Sequence, residues 1–294
     1  MRIGVTMKLV TFDEGRVGRL DGPLVIELDC PSTRQYFERR GRVPETGIRL
    51  PLDDVRLRAP IVPRRLLHTT GNFVEHHREL SVLGPPAARH TLAMWQNGDA
   101  VVGPDDPIRY PSHLTSELDY ELELAIVIGG PCGAFGPGEA AEHIAGYTIF
   151  NDITARDIQR RELELGSFPF SKTITTFCPM GPWVVTADEV GDAHSLAMEL
   201  RVNGEVRQTG HTSQMILSIP QLVSYHSGTS YRAGDVVTTG TVSGVAAAQP
   251  NPSDFYLRPG DVVESRIEKL GILRNTVVPW LSRRTTMTLE AAVA

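Results

Sequence analysis

The sequence predicts a β-dominated α+β protein whose few helices are short and lie at the edges of its sheets. Glycine and proline are frequent, 27 and 21 in 294 residues, which indicates many turns between short elements. Short apolar runs recur, and in residues 118–128 apolar and acidic residues alternate strictly, as in a strand. Asn203-Gly204 lies between two such runs and is typical of a tight β-hairpin.

Domain organisation follows from these runs. Residues 1–62 are expected to form a small N-terminal β domain, because three short apolar runs are separated by turn signals. Prolines 51, 60 and 63 mark the boundary to a second domain over residues 63–281. Residues 282–294 have no strand or core pattern and are expected to be a loose tail.

Three short helices are expected in the second domain. One covers residues 72–80, with Asn72 as N-cap and Glu75 completing a capping box. Another begins after Ser218, with Gln221 in the same capping pattern, and a third covers residues 139–145.

Composition and charge exclude several classes of function. The net charge is −6 and the pI about 5.9, without a basic block, which argues against a nucleic-acid or anionic-membrane partner. No stretch approaches the ~18–20 apolar residues of a membrane span, and residues 1–5 do not resemble a signal peptide. The 3 cysteines are widely spaced, which fits a reducing compartment. We therefore expect a soluble, cytoplasmic protein.

The most informative segment is the strand predicted over residues 118–128. Alternation places Asp119, Glu121 and Glu123 on one face. Glutamates two positions apart are roughly 6.5–7 Å apart at Cα, so their carboxylates can converge on one cation. A half-buried strand with a solvated acidic face would have the same pattern.

Asp152 ends a second apolar run, residues 146–151, and could join Glu121 and Glu123, although it could equally be an N-cap. Three carboxylates without histidine or cysteine form a hard oxygen site. Such a site suits Mg²⁺, Mn²⁺ or Ca²⁺ and disfavours zinc or copper. With three protein ligands, an octahedral ion keeps about three positions for water or substrate, which favours a catalytic site.

A candidate base and a candidate ammonium group lie outside these strands. His76 and Glu79 are three apart and share one helix face. A glutamate bonded to one imidazole nitrogen would raise the basicity of the other, but a solvated helix explains the same spacing. Lysine is rare beside arginine in this chain, so Lys172, which follows a polar loop, is a candidate for its compact ammonium.

Together these segments resemble the fumarylacetoacetate hydrolase family. Residues 72–79 resemble its N-Y-x-x-H-x-x-E helix, residues 119–125 its D-Y-E-x-E-L-A strand, and residues 151–157 its N-D-x-[ST]-A-R-D segment. Four later segments resemble, in the family's order, F-C-P-L-G-P-W (residues 177–183), V-N-G-E (202–205), T-G-T-P-x-G-V (239–245) and G-L-G-x-L-R-N (270–275). The similarity therefore covers about residues 66–280.

The resemblance implies a mixed β-roll or sandwich that forms a homodimer. It implies one divalent cation, Mg²⁺ or Mn²⁺ with Ca²⁺ as a further option, held by Glu121, Glu123 and Asp152. His76 and Glu79 would be a catalytic dyad on a lid, with Lys172 facing the substrate. Further substrate contacts are expected from Asn72, Arg156, Gln159 and Thr241.

Members of this family act on β-dicarbonyl acids and related 2-oxo acids. The sequence therefore predicts a metal-dependent hydrolase that cleaves a C–C bond in a 1,3-dicarbonyl acid. A decarboxylase, tautomerase or isomerase of 2-oxo acids is the first alternative, and an inactive binding or structural homologue the second. Three departures concern the pocket: Phe73 replaces a tyrosine, Val242 replaces a proline, and residues 94–98 replace a lysine-containing stretch.

Overall fold

The computed structural model describes residues 7–79, 92–167 and 169–280. Within these ranges it confirms the β-dominated α+β class, because nineteen strands accompany six α-helices of nine residues or fewer. No helix in the described ranges combines the length and the apolar character that spanning a bilayer requires.

The strands and helices have the following bounds. The strands are β1 (Lys8–Phe12), β2 (Arg16–Asp21), β3 (Leu24–Leu28), β4 (Glu45–Pro51), β5 (Leu57–Arg58), β6 (Leu66–Thr70), β7 (Leu92–Gln96), β8 (Val101–Val102), β9 (Ile108–Tyr110), β10 (Leu118–Asp119), β11 (Leu122–Ile128), β12 (Ile144–Asn151), β13 (Thr154–Ala155), β14 (Cys178–Thr186), β15 (Ala197–Val202), β16 (Glu205–His211), β17 (Val236–Thr241), β18 (Val262–Ile267) and β19 (Gly271–Pro279). The α-helices are α1 (Thr33–Glu38), α2 (Val74–Glu79), α3 (Arg156–Glu164), α4 (Phe170–Thr173), α5 (Ala187–Val190) and α6 (Ile219–His226).

The strands form one large sheet and two smaller ones. The large sheet has 12 strands in the order β4-β3-β2-β1-β14-β12-β11-β17-β6-β7, with β5 added on β1 and β8 on β14. A five-stranded sheet has the order β16-β15-β18-β19-β9, and β10 pairs with β13. The strand β11, which carries the acidic motif, therefore lies inside the large sheet between β12 and β17.

Strands β1–β5 belong to the same large sheet. The connection is the antiparallel pairing of β1 with β14, in which Leu9 is opposite Val184. The division into domains at residues 1–62 and 63–281 stays a prediction from the sequence, and the predicted tail over 282–294 lies outside the described residues.

The apolar alternation of β11 places its side chains in two cores. Leu122, Leu124 and Ile126 pack into one core, whereas Ala125 and Val127 pack into the other. Every residue of β11 and β12 is buried, as expected for central strands covered on both faces. A side chain at position 123 therefore points into the interior on the side of Ala125.

The structure confirms the predictions that rest on residues adjacent in the chain. Helix α6 begins after Ser218 with the expected capping box to Gln221, and Asn203-Gly204 forms the hairpin turn with φ of 52° and 82°. The helix predicted over 139–145 is largely wrong: a 3₁₀ turn covers Pro137–Glu142 and β12 begins at Ile144. Pairing with β11 draws this segment into the sheet, which overrides its helical propensity.

The start of α2 also differs from the sequence prediction. The Asn72 side chain bonds the main chain of Leu217, and Glu75 pairs with Arg78, so the expected capping box is replaced by a long-range contact. The helix is Val74–Glu79, and residue 80 lies outside the described residues.

The backbone spacing around β12 provides a stability prediction. A Cβ added to Gly146 would lie 2.3 Å from the Val185 carbonyl oxygen of β14. We expect Gly146→Ala to lower the free energy of unfolding by about 1–3 kcal/mol, because the neighbouring strand would have to move. The control is Gly138→Ala, where an added Cβ meets nothing within 4 Å. Urea denaturation followed by circular dichroism measures both variants, and equal stabilities would contradict the prediction.

Candidate active site

The acidic residues singled out in the sequence come together inside the large sheet. Asp119 ends β10, Glu123 lies in β11 and Asp152 directly follows β12. Glu121 lies in the break between β10 and β11. These four side chains are at most 4% exposed. A solvated acidic face, the alternative explanation of the pattern, is therefore wrong.

Main-chain and amide hydrogen bonds place Glu121 beside Asp152. The Asp152 N–H donates to the Glu121 carbonyl over 2.8 Å. The Glu121 N–H in turn donates to the Asn151 side-chain oxygen over 2.9 Å. Because β11 pairs with β12 in register from Leu122 opposite Asn151, the two carboxylates emerge at the same end of the strand pair.

Lys172 of α4 lies between these carboxylates. Its ammonium donates to Glu121 Oε2 over 2.9 Å and to Thr154 Oγ1 over 2.8 Å, and it also contacts Asp152 Oδ2. Burial by itself would lower the pKa of Lys172, but the charges of Asp152 and Glu121 raise it above its ordinary value. The site therefore contains a buried ammonium group whose positive charge is stabilised by two carboxylates.

Glu121 is ion-paired through both of its oxygens. Arg156 Nη2 lies 2.6 Å from Glu121 Oε1, while Lys172 binds Oε2. Although burial opposes ionisation, Lys172 and Arg156 hold the pKa of Glu121 well below its usual range. Arg156 also donates through Nε to Asp119 over 2.7 Å. The charge of Glu121 is thus balanced by the protein itself.

The charge of Glu123 is compensated less well, because Lys172 and a Thr238 hydrogen bond lower its pKa by less than its surroundings raise it. Its Oε2 accepts the Gly240 N–H over 3.0 Å, but its buried Oε1 has no hydrogen-bond partner among the described residues. Burial, followed by the negative charges of Asp152 and Glu121, raises the pKa of Glu123 well above its ordinary value. A buried carboxylate oxygen without a partner is costly, and a cation beside it would remove that cost.

A histidine that was not singled out in the sequence completes this cluster. His68 of β6 is fully buried, and its Nε2 lies 3.0 Å from Asp152 Oδ2. One ligand atom from each of His68, Glu123 and Asp152 lies within 4.8 Å of the others. These three residues could hold a divalent cation. The signal in the sequence was a histidine in a short strand of leucine and threonine, Leu66–Thr70.

The predicted ligand set of Glu121, Glu123 and Asp152 is brought together, but its members are not equivalent. Both oxygens of Glu121 face cationic groups, so a metal ion would compete there with Lys172 and Arg156. Glu123 and Asp152 offer oxygens to the same small space as His68. The role of Glu121 as a metal ligand stays a prediction.

His76 and Glu79 form a buried pair on α2. His76 Nδ1 lies 2.7 Å from Glu79 Oε1, and His76 is 2% exposed, so a pair that faces solvent is excluded. The other Glu79 oxygen accepts the Gly244 N–H over 2.7 Å. A positive charge on the His76 imidazole would lower the pKa of Glu121. The role of His76 as a base stays a prediction.

The four expected substrate contacts are all held by other protein groups. Asn72 bonds Leu217 through both ends of its amide. Gln159 accepts from Arg156 Nη1 over 2.8 Å, and Thr241 Oγ1 donates to the Leu122 carbonyl over 3.0 Å. A substrate contact by any of them stays a prediction.

Gln96 is a second site residue that the sequence did not identify. Its Nε2 donates to Asp152 Oδ1 over 3.0 Å and to the Lys172 carbonyl over 3.3 Å. Its Oε1 accepts from the thiol of Cys178. Gln96 lies within the stretch 94–98 that departs from the family pattern, and this departure was the available signal. The amide orients Asp152 without adding a charge.

Known proteins resemble this chain both in sequence and in structure. The family model "Fumarylacetoacetate (FAA) hydrolase C-terminal" matches residues 65–278. The human protein "Oxaloacetate tautomerase FAHD2A, mitochondrial" is 37% identical over 287 residues, which covers 94% of this chain and 88% of that protein.

Solved structures of similar proteins include enzymes with different reactions. The fumarylacetoacetate hydrolase of Exiguobacterium antarcticum superposes with a TM-score of 0.79 at 34% identity, covering 93% of this chain and 99% of that one. The 2-hydroxyhepta-2,4-diene-1,7-dioate isomerase of Mycobacterium marinum superposes with a TM-score of 0.76 at 31% identity, covering 94% and 99%.

Proposed function

This chain belongs to the fumarylacetoacetate hydrolase family, and on that premise we propose that it is a divalent-metal-dependent tautomerase of a small 2-oxo acid resembling oxaloacetate. The observation that carries the proposal is the buried Oε1 of Glu123, which has no hydrogen-bond partner within the described part of the chain. Glu123 lies in one cluster with Asp152 and His68. A buried oxygen in this position suits a bound cation.

Glu123 and Asp152 would hold the ion, with Glu121 as the third carboxylate of the predicted set. Mg²⁺ and Mn²⁺ are the ions expected from the sequence analysis. When bound, such an ion binds the oxygens of a 2-oxo acid and stabilises the negative charge of an enolate. Proton transfer and stabilisation of the enolate oxygen would be carried out by side chains near the ion.

His76 would transfer the proton. Enol–keto conversion removes a proton from the enol oxygen and adds one to the adjacent carbon, without consuming water. An imidazole held by Glu79 at 2.7 Å has a defined orientation, and its other nitrogen is free to exchange a proton with that carbon. Lys172 would stabilise the enolate oxygen through its buried ammonium.

We favour tautomerisation over hydrolysis because of the activity named for a similar protein. The human relative is named as an oxaloacetate tautomerase and matches 94% of this chain. C–C bond hydrolysis, which the sequence favoured, remains the second candidate because an imidazole–carboxylate pair can also activate water. Both reactions pass through an enolate, but hydrolysis would in addition require His76 to take a proton from water, the water oxygen to attack the carbonyl carbon, and the C–C bond to break.

A substrate panel distinguishes the two reactions. We expect the purified protein with Mg²⁺ or Mn²⁺ to accelerate conversion of enol-oxaloacetate to its keto form, followed by the loss of the enol absorbance. Chelation by EDTA should abolish this activity. Acylpyruvates and dienedioates are assayed in parallel, with products identified by NMR.

Each product points to one reaction. Carboxylic acids released from acylpyruvates would replace the tautomerase by the hydrolase, and carbon dioxide would indicate a decarboxylase. Inactivity on every substrate with no bound metal would support an inactive binding or structural homologue. The homodimer and the cytoplasmic location stay predictions; sedimentation of the purified protein measures the first.

A further inference from the structure

We propose that His68 is a direct ligand of the bound ion, so that the site takes a first-row transition metal such as Mn²⁺ in preference to Mg²⁺. This inference rests on the proposed function, because it concerns the same ion. It replaces the all-oxygen ligand set expected from the sequence by one imidazole nitrogen with the carboxylates of Glu123 and Asp152.

The position of His68 supports ligation. The residue lies in β6, which pairs in parallel with β17, and it is 0% exposed. Its Nε2 lies 3.0 Å from Asp152 Oδ2, yet it has no hydrogen-bond partner among the described residues. The nitrogen therefore lies at ion-pair distance from the carboxylate but outside hydrogen-bonding geometry, and a cation among His68, Glu123 and Asp152 would give it a partner.

The other ring nitrogen of His68, Nδ1, contacts a residue outside the cluster. His68 Nδ1 lies 3.1 Å from Thr238 Oγ1. In the tautomer in which Nδ1 donates to this hydroxyl, Nε2 carries a free lone pair. Metal-bound histidines commonly use their second nitrogen in this way, since the outer hydrogen bond fixes the ring and the tautomer.

The three carboxylates differ in how many of their oxygens face a cationic group. Lys172 and Arg156 bind both oxygens of Glu121. At Asp152, among the residues described, only Oδ2 contacts a cation, Lys172, and Oδ1 accepts from the neutral Gln96 amide. Glu123 Oε1, in contrast, is buried without a partner in the described structure. Among the described buried polar atoms without a hydrogen-bond partner, His68 Nε2 and Glu123 Oε1 come from different strands and belong to the same three-residue cluster.

The donor atoms determine the preferred ion. Mg²⁺ favours oxygen ligands and near-ideal octahedral geometry. An imidazole nitrogen strengthens binding along the first transition series, so Mn²⁺ and the later ions gain from it. A site with one nitrogen and two carboxylates should therefore bind Mn²⁺ more tightly than Mg²⁺, and the preference should depend on His68.

The test uses the full-length protein loaded with MnCl₂. Electron spin-echo envelope modulation detects a nitrogen bound directly to Mn²⁺. We expect ¹⁴N modulation in the wild-type protein, its loss in His68→Gln, and its retention in His76→Gln and in His113→Gln. His113 is a surface histidine that packs against Trp280, and it provides the matched control for the substitution itself.

Binding titrations give a second readout. In His68→Gln we expect Mn²⁺ affinity to fall by at least the roughly 10–100-fold that loss of a supporting ligand contact costs. Mg²⁺ affinity should change by less than about threefold, because glutamine offers a hard oxygen instead. Thermal unfolding of each variant verifies that it is folded.

The outcomes separate this inference from the proposed function. Mn²⁺ bound to the wild-type protein without ¹⁴N modulation, or modulation that survives in His68→Gln, would overturn ligation by His68 and leave the metal-dependent enzyme standing. The wild-type measurement requires no variant, so a misfolded His68→Gln would not prevent the decision. Failure of the wild-type protein to bind either ion would overturn both proposals.

Discussion

Replacing His76 by alanine is expected to reduce turnover by about 10²–10⁴-fold, the usual contribution of a general acid–base group. The reason is geometric: His76 Nδ1 is held by Glu79 at 2.7 Å, and Glu79 is itself fixed by the Gly244 N–H. No described contact of His76 belongs to the His68, Glu123 and Asp152 cluster, so Mn²⁺ binding should be unchanged. Steady-state kinetics and Mn²⁺ titration measure the two quantities.

The adjacent histidine provides the control. His77 lies on the same short helix, but it points about 100° away from His76, so His77→Ala should retain most of the activity. Glu79→Gln should lower kcat by less than His76→Ala, because it weakens the orientation of the base without removing it. Unchanged turnover in His76→Ala would remove this residue from the mechanism.

Replacing Lys172 by methionine is expected to affect both activity and stability. Removing the ammonium leaves Asp152 and Glu121 without their shared cation. Breaking a buried ion pair costs about 3–5 kcal/mol of folding free energy, and the loss of a donor to an enolate oxygen costs about 10²–10³ in kcat. Chemical denaturation and steady-state kinetics of the variant test the two effects.

Added Mn²⁺ should restore part of the stability of Lys172→Met, because the ion supplies positive charge to the same carboxylates and binds only the folded state. Lys269→Met is the matched control, since Lys269 bonds only the Val190 carbonyl among its described partners and should lose little stability. A variant as stable as the wild type in the absence of metal would contradict the central role of Lys172.

The stability that Lys172 contributes should depend on pH in a defined direction. Because the folded protein raises the pKa of Lys172, the stability that this residue contributes is complete below its unfolded pKa of about 10.4. It is lost as pH rises through the higher folded value. The difference in unfolding free energy between wild type and Lys172→Met should therefore shrink only above that range, and a difference that shrinks between pH 6 and about 9 would contradict the assignment.

Local patterns were sufficient for much of the fold. The alternation in residues 118–128, the capping box at Ser218 and the hairpin at Asn203-Gly204 involve residues that are close in the chain. Their physical cause is therefore visible in the sequence. The helix predicted over residues 139–145 is largely wrong, because the conformation of this segment depends on the pairing between β11 and β12. A short stretch of sequence does not contain that information.

The sequence alone singled out the carboxylates that cluster in the structure and the histidine–glutamate pair that forms a candidate base. Period-two alternation and the spacing of His76 and Glu79 are local quantities, and the family motifs add their order. Only the tertiary structure decided how the charges are distributed. Lys172 and Arg156 neutralise Glu121, whereas His68 and Gln96 reach Asp152 from strands distant in the chain. Electrostatic pairing depends on separation in space, and the sheet order that sets this separation cannot be read from spacing along the chain.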